Sequence, residues 1–155
     1  MNVDEQLLIS RFGHDITRLT PTTKTVTGSD PAADTEATFG TVPTGKVWVL
    51  LSASIECAQG ATQTPLPSLV IDDGTNILAR IPACTAAISA STTAQCTWAV
   101  GLTTITAGAG LVANFAPLPN PGLVLPAAYR VRTVTSGKGA NTNFGAGTLL
   151  VVEYA

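Results

Sequence analysis

Apolar and polar residues alternate with a period of two over much of the chain beyond residue 35, most clearly in Lys46–Cys57. There Val47, Val49, Leu51, Ala53, Ile55 and Cys57 fall on one face, and Lys46, Trp48, Leu50, Ser52, Ser54 and Glu56 on the other. Successive side chains of a strand point to opposite faces, so the pattern predicts a strand that buries the first set. Thr92–Val100 repeats the pattern, with Ala94, Cys96, Trp98 and Val100 on its apolar face. Thr35–Thr41, Leu66–Asp72, Asn76–Ile81, a segment near Gly110–Phe115, Ala127–Thr135 and Gly147–Tyr154 complete the predicted strands.

Turn chemistry separates them. Val42-Pro43-Thr44-Gly45 closes the first pair, and Asp73-Gly74 is a hairpin signal, because glycine meets the φ > 0 requirement of such turns at no steric cost. Ala58–Pro65, Pro82–Ser91 and Ser136–Ala146 read as loops. The prolines of Pro117–Gly122 remove donors and fix φ, which predicts neither ladder nor helix interior there. About eight strands at this spacing point to an all-β antiparallel β-sandwich, jelly-roll-like in its strand number. An immunoglobulin-like sandwich is the rival, but its Cys…Trp…Cys order is absent, since Trp48 precedes Cys57 and Trp98 follows Cys96.

The first 34 residues read differently, as an N-terminal arm and linker ahead of a sandwich domain over 35–155. Leu8, Phe12, Ile16 and Leu19 recur at helical spacing, with Asp4 and Glu5 placed to complement a helix N-terminus. Gly13 opposes a helix by about 1 kcal/mol relative to Ala, and Pro21 ends it. A short amphipathic helix and an extended arm are both consistent with this, and either carries an apolar stripe that must pack on its own sandwich or on a neighbour. Thr22–Asp34 reads as a loop.

Composition sharpens the picture. Only 12% of the 155 residues are charged while 45% are hydrophobic, so much of the surface is expected to be hidden in an assembly rather than solvated by charge. The net charge of −2 and the absence of a Lys/Arg run leave no electrostatic footprint for nucleic acid, and an aromatic share of 5% supplies no base-stacking platform. No apolar stretch approaches the length of a membrane span. The acidic start, Met1–Gln6, lacks the basic character of a signal peptide, so a soluble product made in the cytoplasm is expected.

Little reactive chemistry is available. Cys57, Cys84 and Cys96 match no zinc or redox spacing, and Cys57 and Cys96 fall on apolar strand faces as small core residues. His14 is the single histidine, which precludes a histidine-cluster metal site within one chain and leaves a Ser-His-Asp triad without a scaffolded base. Asp72 and Asp73 are adjacent and point apart, which suits a turn better than an acid/base pair; a calcium pair is the other reading. Gly137-Lys138-Gly139 lacks the remainder of a phosphate-binding loop. No cofactor and no catalytic residue is expected. The candidate partner-binding residues are the arm stripe, Leu8, Phe12, Ile16 and Leu19; Trp48, opposite Val47 and Val49; and Arg130 and Arg132, two apart on one strand face, where they could meet an acidic partner or a phosphate.

Val42-Pro43-Thr44-Gly45-Lys46-Val47-Trp48-Val49-Leu50 resembles the V-P-x-G-K-x-W-x-V/L entry strand of small bacteriophage virion proteins. Leu123-Val124-Leu125-Pro126-Ala127-Ala128-Tyr129-Arg130-Val131-Arg132-Thr133-Val134-Thr135 resembles their L-V-L-P-A-G-Y-R-x-R-T-x-T strand, with Ala128 where that pattern usually has Gly. Thr148–Tyr154 is similar to their closing strand, which ends in Glu-Tyr. The resemblance covers most of the sandwich and none of the first twenty residues. It implies a virion structural component. One version is a capsid cement (decoration) protein that binds the major capsid protein and forms a homotrimer; the other is a tail or baseplate module that recognises a host glycan.

Overall fold

The computed structural model describes residues 21–60, 62, 64–82, 87–102 and 113–155, with residues 113 and 114 described by backbone alone. Among them there are strands and no helix: β1 (Thr22–Thr27), β2 (Thr38–Thr41), β3 (Val47–Ala58), β4 (Leu66–Asp72), β5 (Ile77–Pro82), β6 (Thr93–Val100), β7 (Ala113–Leu118), β8 (Leu123–Leu125), β9 (Arg130–Ser136), β10 (Asn143–Phe144) and β11 (Thr148–Tyr154). Two sheets result. Sheet A runs β1-β11-β3-β6-β7, with β8 and β10 also paired to β3; sheet B runs β2-β9-β4-β5.

The order follows from one long hairpin folded over on itself. Early strands pair antiparallel with late ones in reverse sequence, β1 with β11, β2 with β9, β3 with β6 and β4 with β5. The tip of that hairpin is the turn after Asp72, where Asp73 Oδ1 accepts the Thr75 and Asn76 amides and Gly74 adopts φ +94°. Alternate pairs lie in alternate sheets, which is the jelly-roll arrangement of an antiparallel β-sandwich. β7 extends sheet A in parallel with β6.

The core lies between the sheets. Leu50, Ala53, Ile55 and Cys57 of β3, Cys96 and Trp98 of β6, and Leu149 and Val151 of β11 meet Phe39, Leu69, Ile71 and Val131 from sheet B. The Phe39 and Trp98 rings cross that gap edge to face, with centroids 6.5 Å apart. Trp98 Nε1–H donates to the Ile81 carbonyl at 3.0 Å, so its one polar atom is satisfied within the apolar layer. Burial pushes the Cys57 thiol up to about 12, with the Glu36 charge acting in the same direction, as suits a packed core residue.

Four sequence expectations are corrected. The face of β3 changes partway along: Trp48 and Leu50 are buried in its first half, Ala53, Ile55 and Cys57 in its second. The register with β11 slips there, Val151 facing Leu50 and Leu150 facing Ser52, so Leu51 is an extra residue and the alternation inverts across it. Second, Thr22–Thr27 of the expected loop is strand β1, at the edge of sheet A. Third, Pro117 lies in β7, an edge strand, where a missing donor costs no ladder bond on the open side. Fourth, the Ser136–Ala146 loop contains β10, which buries Phe144 against β3. The arm residues Leu8, Phe12, Ile16 and Leu19, with His14 and Cys84, lie outside the described residues.

Candidate functional site

The three segments singled out in the sequence, Val42–Leu50, Leu123–Thr135 and Thr148–Tyr154, are brought together in space. β3 is flanked at its start by β8 and β11, with Trp48 opposite both Leu125 and Glu153, and Val49 opposite both Val124 and Val152. The Val42 amide donates to the Tyr129 carbonyl and the Ala128 amide to the Val42 carbonyl, each at 2.9 Å, which ties the turn before β3 to the turn before β9. Ala128 pays for this corner with φ +71°, a left-handed conformation that favours glycine.

Residues opposite one another in a ladder share a face, so the register defines what this corner shows to the outside. One row crosses four strands as Val124, Val49, Val152 and Thr23. The neighbouring rows bring in Val47 beside Tyr154, and Leu150 between Ser52 and Thr25. Val124 and Leu150 are 39% and 38% exposed, high for large aliphatic side chains. Further along, Ser54, Thr97, Thr27 and Thr148 continue the face with hydroxyls, and Ser54 Oγ lies 3.1 Å from Thr97 Oγ1. The centre of this outer face therefore carries no charge over a width of roughly 14 Å, three strand spacings. A hollow of about 330 Å3 borders it, lined by Gly45, Val47, Pro126, Ala127 and Tyr154, with Lys46 as its one charged side chain.

The inner side of the same corner is closed by an ion pair. Glu153 points inward, and its Oε2 accepts from Trp48 Nε1–H at 2.6 Å and from Lys24 Nζ at 2.5 Å. Lys24 Nζ also stands 5.4 Å from the centroid of the Trp48 ring. The hydrogen bonds from Lys24 and Trp48 hold the Glu153 carboxyl below its usual range. Trp48 is only 2% exposed, which corrects its assignment as a partner-binding residue: its ring belongs to the core and its indole N–H is spent within the chain.

Arg130 and Arg132 do share one face, the outer face of sheet B. Asp72 Oδ1 accepts from Arg130 Nε at 2.7 Å, and Asp72 Oδ2 accepts from Arg132 Nε. The Gly74 amide adds a third bond to Asp72 Oδ1 at 2.9 Å. Burial alone pushes this carboxyl up, but the two guanidiniums and the Gly74 amide outweigh it and hold the Asp72 pKa at about 2. The acidic group these arginines meet in the chain is thus one of its own, and sequence spacing could not reveal it because Asp72 ends β4 while both arginines lie on β9.

Asp73 and the Gly137-Lys138-Gly139 segment have structural roles, while the arm candidates Leu8, Phe12, Ile16 and Leu19 lie outside the described residues. Asp73 serves its turn. Lys138 Nζ donates to the Asp34 carbonyl at 2.8 Å and stands 3.5 Å from Glu36, so the Gly137-Lys138-Gly139 segment ties down the approach to β2. Among the described residues, no group of His, Cys, Asp and Glu side chains is placed to hold a metal, and no helix is long and apolar enough to cross a membrane.

No protein-family model matches the chain, and no curated protein matches it. The fold is similar to a chain in the structure of the Gt strain of infectious bursal disease virus, at 9% identity and a TM-score of 0.28. That similarity covers 88% of this chain and 32% of the other, and is too loose to carry an argument.

Proposed function

We propose that this chain is a non-enzymatic structural protein of a bacteriophage particle, a capsid cement (decoration) protein that forms a homotrimer and attaches to the lattice of the major capsid protein. The observation that carries this reading is the outer face built by β8, β3, β11 and β1, whose centre is apolar and uncharged. Leaving Val124 and Leu150 in water is unfavourable, and covering them returns roughly 25 cal/mol per Å2 of apolar area, less the cost of association. Repeated over a symmetric lattice, weak contacts of this kind add through avidity. The resemblance of the three corner segments to virion proteins supports the same reading, because those segments build this face.

A tail or baseplate module that stacks on host glycans needs exposed rings; both tryptophans lie in the core, and Tyr154 is the one ring in the rows of this outer face. The test is copy number in purified particles, by quantitative mass spectrometry against the major capsid protein. A large, fixed ratio is expected. A few copies per particle moves the chain to the tail or a vertex, and absence from particles removes the virion reading.

A further inference from the structure

The arginines of the described chain, Arg80, Arg130 and Arg132, all lie on the outer face of sheet B. Val70 of β4 pairs with Arg132 on one side and Arg80 on the other, which places Arg132, Val70 and Arg80 in one row across β9, β4 and β5. Asp72 pairs with Arg130 two residues along, on the same face. Val70 is fully buried yet outside the inter-sheet core, so the side chains on this outer face cover it.

Two of these guanidiniums grip one carboxylate while the third lies a row away on β5, and that carboxylate is almost fully committed. Asp72 is buried, and both its oxygens accept bonds from Nε groups. This leaves the terminal Nη groups of Arg130 and Nη2 of Arg132 without a partner among the described residues, and none of them is a buried unsatisfied atom, so they open to solvent. Arg80 is exposed and makes no ion pair there. Asp73, the next carboxylate, is engaged by the amides of its own turn. Asp72 therefore acts as a clamp that holds two guanidinium forks in place. Pre-organised forks suit planar oxyanions, which they can grip through two parallel bonds.

We propose that this face docks an acidic, extended protein segment, with carboxylates on the Arg80, Arg130 and Arg132 forks and apolar side chains on neighbouring Ile77 and Leu78. The proposal rests on the lattice-binding reading above and gives that partner its chemistry. Charge complementarity sets the sign. Ile77 and Leu78 set the class, since both are exposed aliphatic residues on β5, the edge strand beside the arginines, and a phosphate backbone offers them nothing. Nucleic acid is further disfavoured by the net charge of −2 and by the burial of both tryptophans.

The test uses the full chain and a synthetic peptide of alternating glutamate and leucine, with a lysine–leucine peptide, inorganic phosphate and a DNA duplex as comparators, followed by calorimetry. Arg80→Glu is the principal variant, because Arg80 makes no ion pair and glutamate keeps a methylene stem beside Val70, so the fold should be retained and the melting curve shifted only slightly. The glutamate peptide is expected to bind, and Arg80→Glu is expected to weaken it by about fivefold or more. Arg130→Lys, which keeps the charge but loses the fork, should weaken it less than Arg80→Glu. Absence of peptide binding, equal binding of the lysine peptide, or preference for phosphate or DNA overturns the proposal. Association of the same proteins with virus particles separates the two readings. If wild type and Arg80→Glu associate equally, the arginine face is excluded and the lattice reading stands. If wild type fails to associate while the glutamate peptide binds, the lattice reading fails and the acidic-segment site remains.

Discussion

Trp48 and Glu153 face each other across β3 and β11, and the indole Nε1–H donates to Glu153 Oε2 at 2.6 Å. The bond lies at the margin of the core, directly beneath the apolar outer face. Glu153→Ala leaves a buried indole N–H without an acceptor, which costs about 1–3 kcal/mol. Glu153→Gln keeps an acceptor and should cost less. Lys24→Ala removes the partly exposed end of the ion pair and should cost no more than about 1 kcal/mol. Urea denaturation of the three variants checks the order Glu153→Ala, Glu153→Gln, Lys24→Ala.

Asp72 makes stability depend on acid. Its folded pKa of about 2 lies below the ordinary value of 3.8, so its contribution is fully present above the ordinary value and is lost as pH falls through about 2. The shift corresponds to about 2 kcal/mol. Melting curves of wild type and Asp72→Asn should differ most near neutral pH, and the gap should close between about pH 4 and pH 2. A gap that stays constant over that window would show that the arginines do not hold the carboxylate ionised.

Ala128 holds φ +71° at the corner that joins the turn before β9 to the turn before β3. The left-handed region costs an L-residue with a Cβ roughly 1–2 kcal/mol, partly offset by the extra freedom of glycine in the unfolded chain. Ala128 is exposed, so nothing packed is lost with its methyl group. Ala128→Gly should therefore raise stability by about 1 kcal/mol, read as a higher denaturation midpoint at unchanged slope.

Gly147 gives the opposite result. A Cβ there would stand 2.5 Å and 2.6 Å from atoms of the Phe39 ring. Phe39 is fully buried and packs against Trp98, so it has no free space to move into. Gly147→Ala should destabilise by about 2 kcal/mol or more, with loss of near-ultraviolet dichroism before loss of strand signal.

Much of the fold was legible in local sequence. The alternation in Thr92–Val100 correctly places Ala94, Cys96 and Trp98 in the core, and Asp73-Gly74 correctly marks the hairpin tip. What local sequence hid was the inversion inside β3. Val47, Val49 and Leu51 continue the apolar period of Ala53 and Ile55 without a break, so periodicity alone buries the wrong half. Only the pairing with β11 reveals that Leu51 is a bulge and that Trp48 and Leu50 face inward. The outer face was hidden for the same reason: Val47 and Val49 look like core until the register turns them outward. Edge strand β1 was missed because its single aliphatic residue, Val26, gives Thr22–Thr27 almost no apolar period. The Arg130–Asp72–Arg132 cluster depends on long-range pairing of β4 with β9, which no spacing in the sequence encodes.

The most direct test of the central claim is co-sedimentation with virus particles that lack the protein, using wild type and a Val124→Glu/Leu150→Glu double variant. Both positions are outward but only 39% and 38% exposed, so each change should cost about 1 kcal/mol, and circular dichroism checks that the double variant is folded before sedimentation. The account predicts that wild type pellets with the particles while the folded double variant stays in the supernatant. Pelleting of both to the same extent, or of neither, would contradict it.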